Sequence, residues 1–275
     1  MQIRSSVTVS LVPEVRGGPF VFWNDLPAAC RAAKSLGFDA VEVFPPSADA
    51  PELYGLATLL SDHGLTLAAM GTGAGWVRDR LHLTLPDRSA RSRARDFILS
   101  IIDAAAPLGA PAIIGSMQGR HSDDVDAARA SGYLAEALEE LGAYAATYGV
   151  PLVYEPLNRY ETNLVNTVEA GLALLDTLST RNVVLLADLF HMNIEERDIP
   201  GALRAGGDRI GHVHFVDSNR RPAGLGHTNF VPIAEALKEI DYAGFVSAEA
   251  FPYPDPDQAA KATIAAFRHL FQPKT

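Results

Sequence analysis

An α/β barrel of the (β/α)8 class is what this sequence predicts, on three observations. Strand-like and helix-like stretches alternate along the chain, the helical stretches tend to stop at glycine, and acidic or histidine residues recur at the C-terminal ends of the last four strands. The chain has 275 residues, enough to bury a substantial core in a single domain over residues 1–275 without disulfides or metal staples.

The elements follow in order. Residues 3–11 alternate as a strand, and L-P-A-A-C-R-A-A-K-S-L beyond Asn24 reads as a helix closed by Gly37. A-V-E-V-F-P-P is the second strand, residues 51–63 a helix ended by Gly64, and L-T-L-A-A-M the third strand. Between Gly71 and Ser89 lies an insertion holding G-T-G-A-G-W. Its spacing fails G-x-G-x-x-G and no helix is expected directly after it, which argues against a phosphate cradle. Two readings stay open for it, a cover over a substrate and a structural insertion, with Trp76 the deciding residue. Helix 90–108 then leads to P-A-I-I-G-S, the fourth strand, and helix 123–148, closed by Gly149, to L-V-Y, the fifth. Helix 168–178 precedes V-V-L-L-A-D, a short helix 199–205 precedes I-G-H-V-H-F-V, helix 232–240 precedes G-F-V-S-A-E-A, and helix 257–271 ends the pattern. An open doubly wound sheet would carry a nucleotide fingerprint, which is absent.

Composition narrows the function classes. Apolar residues make up 48% and charged residues 20%, and no apolar run approaches the roughly 18 residues of a membrane span. The N-terminus alternates like a strand and lacks the basic and long apolar regions of a signal peptide. The one cysteine, Cys30, cannot close an internal disulfide and reads as a small packed helix residue, so a cytoplasmic location is expected. A net charge of −10 disfavours nucleic acid and anionic membrane as partners, because both need a basic face.

The chemistry centres on Glu155, Asp188, His214 and Glu249. Each ends one of four successive strands, and the intervals between them are about one strand-helix unit. In a closed parallel barrel such positions converge at one mouth. Three carboxylates and an imidazole suit a divalent ion that prefers oxygen, such as Mn²⁺, Mg²⁺ or Co²⁺. Without an ion, the three acids would repel at several kcal/mol of Coulomb cost or take up protons. Separate buried acids in local salt bridges are the plainer reading of any one of them, but four in phase favour a shared site. His191, three residues beyond Asp188, lies beside the mouth, able to donate to a substrate oxygen. His212 shares a strand face with His214 and reads as a deeper, hydrogen-bonded core histidine. Of Arg220 and Arg221, one is expected to hold substrate hydroxyls and the other to face solvent. Glu42 in A-V-E-V-F offers a support for an arginine if it points into the barrel, but the plainer structural reading is preferred.

The segments E-P-L-N-R-Y-E-T-N, D-L-F-H-M-N-I-E-E, H-V-H-F-V-D-S-N-R-R-P-A-G-L-G and S-A-E-A-F resemble the xylose isomerase-like barrel superfamily, and within it ketose 3-epimerases of the D-tagatose/D-psicose type. The match is strong over residues 150–252. The resemblance implies that Glu155, Asp188, His214 and Glu249 bind one divalent ion and that Glu155 and Glu249 are also the acid/base pair. It further implies that Glu161, His191 and Arg220 contact the sugar. The implied reaction removes the C3 proton of a ketose and returns one to the other face through an enediolate. A small sugar is the implied partner, and a homodimer or homotetramer fits the family. The sequence departs from the pattern in having S-M-Q-G-R after the fourth strand and S-L-V after the first, where an aromatic substrate wall is expected. The alternatives are an aldose-ketose isomerase of the hydroxypyruvate type, a lyase or dehydratase on a keto-sugar or inosose, and a phosphodiesterase like the apurinic endonucleases. The last needs further histidines at strand ends, which A-A-M-G and I-I-G-S do not supply.

Overall fold

Sheet register closes the barrel. The computed structural model describes residues 2–272 and contains nine parallel strands: β1 (Arg4–Ser10), β2 (Phe22–Trp23), β3 (Ala40–Phe44), β4 (Thr66–Gly71), β5 (Ala112–Ile114), β6 (Leu152–Tyr154), β7 (Val183–Asp188), β8 (Ile210–His214) and β9 (Phe245–Ala248). Strand β9 pairs with Arg4–Val7 of β1, completing a ring of eight staves. The two-residue β2 pairs with Val9 and Ser10 and extends the wall at the mouth.

The helices are α1 (Leu26–Leu36), α2 (Leu56–His63), α3 (Ala74–Asp79), α4 (Arg88–Ala105), α5 (Ala127–Ala146), α6 (Val168–Asp176), α7 (Leu189–Glu195), α8 (Ile199–Gly206), α9 (Phe230–Glu239) and α10 (Pro256–Phe271). Short polar side chains start most of them. Asp25, Asp87, Asp126 and Asp255 each accept a backbone N–H from the first turn of the helix that follows, satisfying a donor that has no partner inside the helix. Gly37 stops α1 with φ +82°, and its N–H bonds to the Ala33 and Lys34 carbonyls. A side chain there would strain the left-handed backbone.

Asp25 caps α1, while Asn24 takes the left-handed turn before it. Two local expectations are corrected. A helix does open within G-T-G-A-G-W: Thr72 ties its hydroxyl to the Ile113 carbonyl at 2.7 Å and accepts the Gly75 N–H, launching α3. Helix α2 begins only at Leu56, because residues 51–53 form a tight 3-10 turn and Gly55 breaks the path with φ +76°. Helix α7, directly after Asp188, was not among the expected elements.

Two interiors result from strand alternation. Outside the sheet, Ile98, Ile101, Leu134, Leu138 and Leu141 of α4 and α5 are buried in the main core, each such side chain contributing roughly 1.5–3 kcal/mol on burial. Inside the lumen, Ala69, Ile113, Val153 and Leu186 pack as a small apolar layer. Val153 and Leu186 lie two residues before Glu155 and Asp188, so the layer forms a floor beneath the acids.

Cys30 sits wholly inside the core, and burial pushes its thiol up to about 11. The reactive thiolate is therefore absent at neutral pH. The native protein should resist iodoacetamide at pH 8 and be alkylated once unfolded in guanidinium, as read by mass spectrometry; rapid alkylation of the folded chain would contradict this packing.

Candidate active site

The four residues singled out at strand ends come together. Glu155, Asp188, His214 and Glu249 are all buried. Around His214 Nδ1 stand Asp188 Oδ2 at 3.0 Å, Glu155 Oε1 at 3.5 Å and Glu249 Oε2 at 3.8 Å. Asp188 divides its two oxygens. Oδ1 accepts the Phe190 and His191 N–H groups at 2.7 and 3.0 Å and so caps α7, which leaves Oδ2 for the site.

Burial is the largest single influence on the electrostatics of this set. Burial opposes charge on Asp188, yet His191 and His214 beside it hold its carboxyl well below the usual range. Burial pushes Glu249 up to about 8 against the pull of Arg220. Burial also opposes charge on His214, but the carboxylates of Glu42 and Glu249 outweigh it and raise the imidazole well above its ordinary value. Glu155 Oε1 and His191 Nε2 are buried and lack any hydrogen-bond partner. Buried polar atoms without partners cost about 1–3 kcal/mol each, so they mark a position for a ligand. Two overlapping triads, Asp188–His214–Glu249 and Glu155–Asp188–His191, have the spacing of a metal site.

Hydrogen bonds fix which triad members could ligate. His191 Nδ1 accepts from Asn158, through the backbone N–H at 3.3 Å and the side-chain amide at 2.7 Å. The amide orientation is itself set, because Asn158 Oδ1 accepts the Tyr160 N–H. His191 therefore carries its proton on Nε2, aimed between Glu155 Oε1 at 3.8 Å and Asp188 Oδ2 at 4.0 Å. It is a donor at this position rather than a ligand. Glu161 accepts from Asn158 Nδ2 at 3.1 Å and lies 3.5 Å from Arg220 Nη1, while Arg220 Nη2 donates to Glu249 at 2.7 Å. Arg220 holds φ +59° in a loop anchored by Asp217, whose carboxylate accepts the N–H groups of Ser218, Gly224 and Thr228. Arg221 lies over the Tyr253 ring at 3.8 Å.

The expectation for Glu42 is corrected. It supports two histidines and no arginine: its oxygens bond His212 Nε2 at 2.7 Å and His214 Nε2 at 3.1 Å. Pairing β3 against β1 turns Glu42 into the lumen across from β8, a neighbour no local sequence signal could reveal. With Nε2 held by Glu42, Nδ1 is the face His214 offers the site. His212 is the deep, hydrogen-bonded core histidine expected.

Two further groups escaped the sequence reading. Gln118, in S-M-Q-G, is fully buried and donates to the Gly115 and Glu155 carbonyls at 3.1 and 2.9 Å, while the Tyr154 hydroxyl donates to it at 2.7 Å. It pins the backbone of Glu155. A Cβ on Gly115 would stand 2.5 Å from Glu155 Oε2, so this glycine makes room for the carboxylate. The aromatic wall missing from the strand ends comes instead from Phe20, Phe44 and Trp76, which line a cavity of about 490 Å³ shared with Glu155, Glu249 and Arg220. Trp76 thus faces the cavity, as the cover reading of its segment requires.

With this geometry in hand, the comparisons with known proteins are informative. The family described as Xylose isomerase-like TIM barrel matches residues 30–270. The chain is 29% identical to L-ribulose 3-epimerase of Methylomonas sp. (strain DH-1) over 265 residues, 93% of this chain and 91% of that protein. It is 32% identical to D-psicose 3-epimerase of Agrobacterium fabrum over 223 residues, 78% of this chain and 76% of that one. A crystal structure of D-psicose 3-epimerase with D-tagatose from Clostridium cellulolyticum H10 superposes with a TM-score of 0.82 at 23% identity, covering 98% of this chain and 100% of that one. At that identity the superposition speaks for the fold.

Replacing Gln118 by Leu strands the Tyr154 hydroxyl and the Glu155 carbonyl, while the Gly115 carbonyl keeps the backbone N–H of residue 118. A destabilisation of about 2–4 kcal/mol is expected in denaturant melts, and an unchanged midpoint would show that Gln118 does not hold the Glu155 strand end.

Proposed function

We propose, from the premise that this chain belongs to the Xylose isomerase-like TIM barrel family, that it is a divalent-cation-dependent ketose 3-epimerase. The observation that carries the reading is the pair of buried carboxylates, Glu155 and Glu249, contributed by two different strand ends and both brought near His214 Nδ1, at 3.5 and 3.8 Å. Inversion at one carbon needs a base on one face and an acid on the other. Two glutamates from β6 and β9 can serve both faces without the sugar turning over.

Glu155, Asp188, His214 and Glu249 would hold the ion, Asp188 through Oδ2 and His214 through Nδ1. When bound, a divalent ion supplies Lewis-acid polarisation of the ketose carbonyl and so acidifies the C3 proton. One glutamate takes that proton, and the other delivers a proton to the opposite face. His191 donates its Nε2 proton to a sugar oxygen, and Arg220, steadied by Glu161, adds a fixed positive charge where the enediolate develops negative charge. Phe20 and Trp76 shield the site from water across the cavity. Glu42 keeps the His214 ring oriented through Nε2, the arrangement by which an outer carboxylate tunes a histidine ligand.

The donor set suits Mn²⁺, Mg²⁺ or Co²⁺, and the reading extends to residues 1–275 acting as one domain, in the cytoplasm, as a homodimer or homotetramer. Among the described residues no helix is long and apolar enough to cross a membrane. Gly71 and Gly115 stand at or just beyond the ends of β4 and β5, where a multi-metal phosphodiesterase would need histidines.

The test is incubation of the Mn²⁺-loaded protein with ketoses in deuterated water. Deuterium at C3 together with the C3 epimer is expected, and an aldose or a dehydrated product would overturn the assignment. Glu155→Gln and Glu249→Gln should each slow C3 exchange by about 10²–10⁴-fold with unaltered circular dichroism; wild-type exchange in either would defeat the two-base scheme. Glu42→Ala should weaken Mn²⁺ binding about 10–100-fold in calorimetric titration, with Glu42→Gln recovering part of the loss.

A further inference from the structure

The cavity is larger than a free ketose requires, and its two sides differ in chemistry. The ionic side comes from the ends of β6 to β9, with Glu155, His191, Arg220 and Glu249. Across the mouth, the segment after β1 contributes Val15 and Phe20, the end of β3 contributes Phe44, and helix α3 contributes Trp76 and Val77. Phe20 and Phe44 pack with ring centres 4.5 Å apart, and the Phe44 ring occupies the space that a Cβ on Gly71 would take. A hexose has twelve heavy atoms. Even at the ~30 Å³ that a water molecule takes up in the liquid, each counted separately, it fills at most about 360 Å³, against a cavity of about 490 Å³. Bonded atoms lie closer together than separate waters, so the space left beyond one hexose is more than the difference of about 130 Å³, and the cavity is open at its mouth, where a further ring can extend.

We infer that the substrate is a ketose carrying a further neutral glycosyl unit at the end remote from its carbonyl, which the aromatic side of the cavity receives. The inference rests on the ketose reading above and narrows its substrate class. If Glu155, Glu249, His191 and Arg220 engage C1 to C3, the far end of the ketose points at Phe20, Phe44 and Trp76. Aromatic faces suit the C–H-bearing face of a pyranose, and an apolar lining with a few polar groups is how small-molecule cavities select their ligands. Charge on this side does not favour a phosphate. Glu14 and Arg16 both line it, with opposite signs, and Glu14 is paired with Arg78 at 3.4 Å.

The test compares kcat/KM for C3 deuterium incorporation from deuterated water with D-fructose, isomaltulose (6-O-glucosyl-D-fructose) and D-fructose 6-phosphate, using the Mn²⁺-loaded full chain. Isomaltulose should exceed D-fructose at least 10-fold. Val77→Trp, which fills the outer compartment, should cut that ratio at least 5-fold. A preference for free D-fructose, or a ratio unmoved in a folded Val77→Trp, overturns the inference while leaving the epimerase reading intact. A preference for the phosphate overturns it in favour of an anionic substituent. Absence of C3 exchange with every ketose removes the epimerase reading itself, and this inference with it.

Discussion

Burying three carboxylates within reach of one imidazole is the constraint on which the structure depends. Like charges at a few ångström in a low-dielectric lumen repel strongly, and each loses its hydration. The chain answers by surrounding the acids with fixed positive or donating groups. His214 lies between Glu42 beneath it and Asp188 beside it, Arg220 reaches Glu249, and the α7 N-terminus takes one oxygen of Asp188. What stays unmatched is local. Glu155 Oε1 and the Nε2 proton of His191 face the same space without partners, and Glu249 is pushed up to about 8. A site so arranged favours binding a cation and an oxygen-rich substrate together.

Several groups serve the fold and the site at once. Asp188 ends β7, starts α7 and presents Oδ2 to His214 Nδ1, and the helix that it caps also carries His191 to the mouth. Gln118 joins the β5 and β6 strand ends beneath Glu155, and Gly115 leaves the space that the carboxylate occupies. Asp217 gathers the N–H groups of a tight loop and thereby holds Arg220 in a left-handed turn. Such double use explains why the site geometry can be rigid although most of its members follow strand ends, where backbone regularity stops.

The mouth divides the work between its two sides. The ends of β6 to β9 bring charge and proton donors, while the segment after β1, the end of β3 and helix α3 bring aromatic rings. The walls on the second side can vary without disturbing the acids opposite.

By itself the sequence determined the alternation of strands and helices and the phase of Glu155, Asp188, His214 and Glu249, since strand periodicity, glycine stops and proline breaks are local properties. Their convergence followed from barrel closure alone. D-L-F-H placed His191 three residues beyond Asp188, but neither the cap that Asp188 makes nor α7 was expected from it. Only the tertiary structure decided the rest. Glu42 meets His212 and His214 across the lumen, Phe20 reaches the cavity from a loop before β2, and Gln118 locks a strand end from a single 3-10 turn. Each of these depends on a through-space neighbour far along the chain, and no periodicity records which side chains a closed sheet will bring face to face.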